Sequence, residues 1–276
     1  MTASFFVAMG PDNSGKALRR MFRNPGFLRK MVRTRAVALY GLRTILSGTL
    51  LPARPIGPAF PALLRELADR GFEVGIHGFD HVRWQDEIET LAEEEIELEL
   101  ERAFEVYRRI FGRQSSSFAA PGWRVNDLAL KVLSQFRLHY QSNTRGRRPY
   151  RCRVGGEILE FLEIPSTMPT LDEIVGRRGL RNSSDIVAYY LRLVTTHLPN
   201  VHTVHAEVEG GPYNEVLRGL IRGLKKLNAR FLRLDELARE IDPRSTPVCS
   251  VERGFIEGRA GWVSVQGSEG EAPQAA

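Results

Sequence analysis

The chain has 276 residues, 42% hydrophobic and 26% charged, enough for one large α/β domain and in itself neutral as to function. Two cysteines, Cys152 and Cys249, with no CxxC pair, exclude a disulfide framework and suit a reducing compartment. The net charge of +6 is concentrated, because residues 13–65 carry eleven Lys or Arg and no acid, which leaves the rest of the chain net acidic.

The N-terminus runs from Met1 into Gly10-Pro11-Asp12 without a basic start, so no secretory signal is read there. Residues 3–8 predict a buried strand. The periodicity predicts a helix over 61–70 and a strand over 72–76. From 88 to 111 the apolar residues Ile88, Ala92, Ile96, Leu100, Ala103, Tyr107 and Ile110 fall at helical spacing, with Gly112 as the stop. Strands at 116–119, 138–141 and 157–164 enclose a helix at 127–135. A helix at 185–197, a strand at 201–206, a helix at 214–227, a short strand at 231–234 and a helix at 235–241 complete the alternation. Such alternation predicts parallel strands with helices outside, open or closed into a barrel. The longest run free of Asp, Glu, Lys and Arg, residues 193–206, is shorter than the ~20 apolar residues a spanning helix needs. The composition of the tail predicts disorder.

His77-Gly-Phe-Asp-His81 follows the strand at 72–76, at the carboxyl end where parallel α/β folds gather functional groups. Two imidazoles at i and i+4 can face one ion; two surface histidines on a loop would look the same in sequence. Val201-His-Thr-Val-His205 is strand-like, so His202 and His205 point to opposite faces, and His205 is nearer the carboxyl end. Phe118-Ala-Ala-Pro-Gly-Trp-Arg124 is a strand end running into a rigid turn.

These three motifs in this order resemble the polysaccharide deacetylase (NodB-homology) family. Gly10-Pro-Asp-Asn-Ser-Gly-Lys16, Ile164-Pro-Ser-Thr-Met-Pro-Thr170 and His205-Ala-Glu-Val-Glu-Gly210 are similar to one branch of it. That branch removes formyl from undecaprenyl-phosphate-linked 4-deoxy-4-formamido-L-arabinose. The resemblance implies a distorted (β/α) barrel, spanning residues 1–262 with a flexible tail at 263–276. It implies a divalent metal (Zn, Co or Mn) held by His77, His81 and an Asp, and His205 as the general acid that protonates the leaving amine. Pro121, Trp123, Arg124 and Glu207 are the expected substrate contacts, and Glu209 flanks the same strand end. Asp80 is expected to orient a ligand imidazole. The expected setting is lipid A modification and resistance to cationic peptides such as polymyxin. The alternatives are a deacetylase of N-acetylated glycans and a non-catalytic glycolipid-binding relative.

The match departs from the family at three places, one of them Ala119, where many relatives carry an Arg though the branch is expected to share the Ala. The family opens on a strand with two adjacent Asp, and this sequence has no Asp-Asp pair, its first residues aligning with the second strand. The expectation is a late-assigned start codon, with a degraded product as the competing account. At Asn143 the branch carries an acid.

The acid-free stretch makes residues 13–60 a basic amphipathic insertion. Phe27, Leu28, Met31 and Val32 alternate with Arg29, Lys30 and Arg33, which reads as an anchor on an anionic membrane surface. An insertion packed on the barrel and a phosphate-binding patch are the competing readings; no nucleic-acid partner is expected. A polyprenyl-phosphate-linked amino sugar fits the membrane reading, which places the protein peripherally on the cytoplasmic face of a bacterial inner membrane.

Overall fold

A computed structural model describes residues 1–19, 41 and 43–269. Its centre is one sheet of eight strands in the order β1-β2-β3-β4-β6-β5-β7-β8. Strands β1 (Ser4–Val7), β2 (Glu73–Ile76), β3 (Ser117–Phe118), β4 (Tyr140–Gln141) and β6 (Glu157–Glu163) run parallel. Strand β5 (Tyr150–Val154) is antiparallel to β6 and parallel to β7 (Val248–Phe255), and β8 (Trp262–Glu269) closes the far edge as a hairpin with β7. The sheet does not close on itself, which makes the fold an α/β distorted barrel.

Helix α1 (Pro61–Asp69) links β1 to β2. Helices α2 (His81–Glu87) and α3 (Glu93–Phe111) lie between β2 and β3, and α4 (Asp127–Ser134) lies between β3 and β4. Between β6 and β7 come α5 (Leu171–Ile174), α6 (Ser183–Leu193), α7 (Ala206–Glu209), α8 (Asn214–Lys226) and α9 (Leu234–Glu240). The helical spacing seen in the sequence puts Ile96, Leu100, Ala103, Phe104, Tyr107 and Ile110 on the buried face of α3, and Gly112 ends it at φ 68. Each fully buried aliphatic of this set contributes about 1.5–3 kcal/mol. That core also holds Ile76, Trp84, Phe118 and Leu130, beneath β2, β3 and α4. A second cluster, from Met168 to Leu220, is built by α5, α6, α7 and α8 with the loop residues Met168, Val175 and Leu180.

Several elements differ from their sequence patterns. The single helix expected over 88–111 is broken, because Ile88 caps α2 and a turn precedes α3, whose Glu95 carboxylate accepts the Ala92 N–H at 3.1 Å. Residues 201–205 form no strand, and Arg233 caps α9 where another strand was expected. Strand β8 reaches Glu269, so residues 263–269 belong to the sheet and not to a flexible tail. Inside the parallel sheet, Glu73 gathers the hydroxyls of Ser4, Ser117 and Tyr140, the latter two at 2.8 Å. The insertion residues Phe27, Leu28, Arg29, Lys30 and Arg33 lie outside the described residues.

Candidate active site

The mouth of the sheet is built where β1, β2 and β3 end. His77 follows β2 directly, its backbone N–H held by the carbonyl of Val7 at 2.9 Å. Its Nδ1 lies 2.7 Å from the carbonyl oxygen of Ala119, just past β3. A carbonyl only accepts, so Nδ1 carries the proton and Nε2 keeps its lone pair. Burial, helped by the nearby His205 and opposed by the Ala119 hydrogen bond, lowers the His77 pKa to about 4, so the ring is neutral. His81 is the first residue of α2, and its ring lies 5.0 Å from that of His77, centroid to centroid.

Asp80 sits between them as the N-cap of α2. Its Oδ1 accepts from the N–H groups of Val82 and Arg83, both at 3.0 Å, while Asn13 donates its side-chain amide to Oδ2. Thus the backbone of Ala119, and not Asp80, orients the His77 imidazole. The cap matters all the same, because it fixes the first turn of α2 and with it His81. Asn13 also ties this turn to the loop after β1.

Beyond β3 the turn Pro121–Trp123 presses against the same corner. A Cβ on Gly78 would lie 3.1 Å from Pro121, so only glycine, at φ 73, lets the two segments meet. Trp123 has a positive φ of 53, a strained backbone for a bulky residue. Its indole N–H donates to Ser166 Oγ at 3.0 Å, and Ser166 shares a 2.7 Å hydrogen bond with Thr203. The indole also stands edge-on to His205, with centroids 6.3 Å apart. His77, His81, Trp123 and His205 therefore converge. Arg124 turns elsewhere, donating to the carbonyls of Gln85 at 2.6 Å and Trp262 at 3.3 Å.

His205 caps α7, and its backbone N–H is accepted by Glu209 at 2.8 Å. Glu209 is buried, its other oxygen has no partner among the described residues, and burial raises its pKa to about 7. Glu207 is exposed. His202 turns to the other side, edge-on to Tyr190 at 4.6 Å, where burial lowers its pKa to about 4. Sequence reasoning gave no role to Ser166, Thr203, Arg145 or Arg259 around Trp123. Ser166 and Thr203 lay inside the 164–170 and 201–205 motifs, whereas Arg259 lay in none.

The neutral His77 imidazole and the His81 ring beside it suit a divalent ion of the Zn, Co or Mn type. Among the described residues no group of three His, Cys, Asp or Glu gathers that could complete such a site.

The polysaccharide deacetylase family model matches residues 3–141. A protein of Shewanella sediminis named 4-deoxy-4-formamido-L-arabinose-phosphoundecaprenol deformylase ArnD is 34% identical over 97% of this chain and 86% of its own. Its namesake in Wigglesworthia glossinidia brevipalpis is 30% identical over 96% of this chain and 91% of its own. Among solved structures, a polysaccharide deacetylase from Mycobacterium smegmatis superposes with a TM-score of 0.56 at 17% identity, covering 92% of this chain and 95% of that one. At that identity the likeness concerns the fold alone.

Proposed function

The chain belongs to the polysaccharide deacetylase family, and on that premise we propose that it hydrolyses the formamide of undecaprenyl-phosphate-linked 4-deoxy-4-formamido-L-arabinose. Water is consumed, the C–N bond breaks, and the products are formate and the free 4-amino sugar. The observation that carries this reading is the meeting of His77, His81, Trp123 and His205 at one mouth, in a chain similar along nearly its whole length to two proteins bearing that name.

His77 and His81 would hold a divalent ion, which when bound supplies Lewis-acid polarisation of the amide carbonyl. His205 is the general acid, handing a proton to the leaving nitrogen as the C–N bond breaks. The bond from its backbone to Glu209 and the edge contact with Trp123 fix where its ring stands. Pro121 and Trp123 form the wall against which the sugar rests, with exposed Glu207 at the rim. The product would feed lipid A modification and polymyxin resistance. Residues 13–60 are proposed as the insertion that holds the enzyme on the anionic cytoplasmic face of the inner membrane; no helix among the described residues is long and apolar enough to cross it.

The test is formate release from the lipid-linked formamido sugar, measured beside acetate release from chitin oligomers, with and without added Zn, Co or Mn. Formate from the first and nothing from the second supports the reading. Acetate from the second would move the assignment to a glycan deacetylase, and no release from either would leave a binding relative.

A further inference from the structure

The hairpin β7–β8 lies at the far edge of the sheet from β1, yet its tip returns to the mouth. Arg259, in that tip, places its guanidinium 4.6 Å from the centroid of the Trp123 ring. Its Nη2 donates to the carbonyl of Gly122 at 3.3 Å, the residue just before Trp123. Its Nη1 lies 3.5 Å from Glu173 Oε1, the oxygen that also accepts Arg145 Nη1 at 2.8 Å. Arg145 lies over the same indole at 5.0 Å. Glu173 is buried, and both arginines are nearly so.

The tip is fastened to α5 as well. A Cβ on Gly258 would fall 2.0 Å from the carbonyl oxygen of Glu173, and its φ is +90, so the chain passes against α5 where only glycine fits. Glu257 takes ion pairs from Arg177 and Arg178, both at 2.5 Å. The hairpin therefore cannot shift without withdrawing Arg259 from the indole.

We propose that Arg259 is a positioning residue for the active site: it holds Trp123 against His205, and makes the β7–β8 hairpin part of the catalytic unit. Three contacts fix the indole, each of a different kind. Ser166 takes its N–H, Arg145 and Arg259 occupy its π-system, and Arg259 ties down the strained turn beneath it. A buried guanidinium is costly unless it is matched. Burial indeed depresses the Arg259 pKa from its ordinary value, against the opposing pull of Asp172 and Glu173. A packing role alone would be served more cheaply by an apolar side chain; a planar cation that both stacks and donates suits a ring that must stay in one pose. The positioning role rests on the proposed hydrolysis only in its kinetic arm.

The experiment uses the full chain labelled with 5-fluorotryptophan, whose three 19F resonances are assigned by W84F, W123F and W262F. Arg259→Met should move and broaden the Trp123 line while the Trp84 line stays, and Arg259→Lys should restore it in part. An unmoved Trp123 line in a folded Arg259→Met protein overturns the proposal, whatever the activity. On the formamido substrate, Arg259→Met should lower kcat/KM roughly tenfold. In a W123F background the same change should cost less than about twofold, because the two residues act as one unit. Independent, multiplying losses would overturn it. If no variant and no parent releases formate, the proposed reaction fails and the 19F result alone decides the positioning role.

Discussion

The Nδ1 of His77 and the carbonyl oxygen of Ala119, 2.7 Å apart, settle which nitrogen of the ring can act. With the proton on Nδ1, Nε2 is the nitrogen of this ring that keeps a lone pair to give, and burial keeps the ring neutral. Replacing either His77 or His81 by Ala should weaken zinc binding by at least ~100-fold, beyond the 10–100-fold that loss of an outer partner costs. Competition with a chromophoric chelator measures this directly. Undiminished affinity in either variant would remove that histidine from the site.

The two histidines of the 201–205 segment should separate cleanly. His205→Ala should lower kcat for formate release roughly 10²- to 10⁴-fold, the range for loss of a general acid. His202→Phe keeps an aromatic against Tyr190 and should leave kcat within about threefold. Steady-state kinetics on both variants tests the assignment, and equal losses would refute it.

Much of this was legible in sequence. Strand β2 and the histidines after it stood out because Val74, Gly75 and Ile76 form a short buried run that ends in a polar motif. The turn at Pro121 was visible from its Pro-Gly pair. The break between α2 and α3 was not, because Ile88, Ala92 and Ile96 keep helical spacing straight through it, and the stop is made by a Glu95 side chain. Strand β5 alternates buried Tyr150, Cys152 and Val154 with Arg151 and Arg153, a pattern hidden by its arginines. Arg259 could not be found locally. It meets Trp123 only because β8 pairs beside Arg145, a contact between segments distant in the chain.

The pH dependence of stability follows from groups away from the mouth. Glu163 is buried at the end of β6 and burial raises its pKa to about 7, although Asn143 and Thr144 donate to its carboxylate. The folded state then holds this proton more tightly than the unfolded chain. Its contribution is full below the unfolded value near 4.5 and is lost as pH rises to about 7. His202 acts oppositely: its folded pKa of about 4 lies below the unfolded 6.5, so stability is lost as pH falls through that window. Urea midpoints at pH 5 and pH 8 should show a smaller acid-side advantage for Glu163→Gln than for the parent. An unchanged difference between the two pH values would exclude Glu163 as the source.

Gly258 reports on the hairpin's attachment. Gly258→Ala places a methyl on the carbonyl of Glu173 and a side chain at φ +90. It should cost about 2 kcal/mol and lower Tm by roughly 5 °C. Calorimetry of the variant gives the answer, and a Tm within a degree of the parent would mean the tip is not clamped.

The membrane reading has its own test. Replacing Arg29, Lys30 and Arg33 by Ser removes about 1 kcal/mol of attraction per residue toward an anionic surface. Sedimentation with phosphatidylglycerol liposomes should fall sharply in that variant and, for the parent, with added salt. A parent that stays in the supernatant at low salt would rule the anchor out.

The second apolar cluster has a consequence for motion. It is assembled from one continuous stretch, Met168 to Leu220, where Gly219 and Gly223 let α8 lie close along Val187 and Leu191 of α6. Such a stretch can open and re-form as a unit without melting the sheet. His205 and Glu209 ride on it, whereas His77 and Trp123 belong to the turns that follow the sheet strands and His81 opens α2. Each opening would carry the proton donor away from the imidazole pair and bring it back, and amide exchange at Val208 and Val216 should keep time with that loss of competence while Ile76 stays protected.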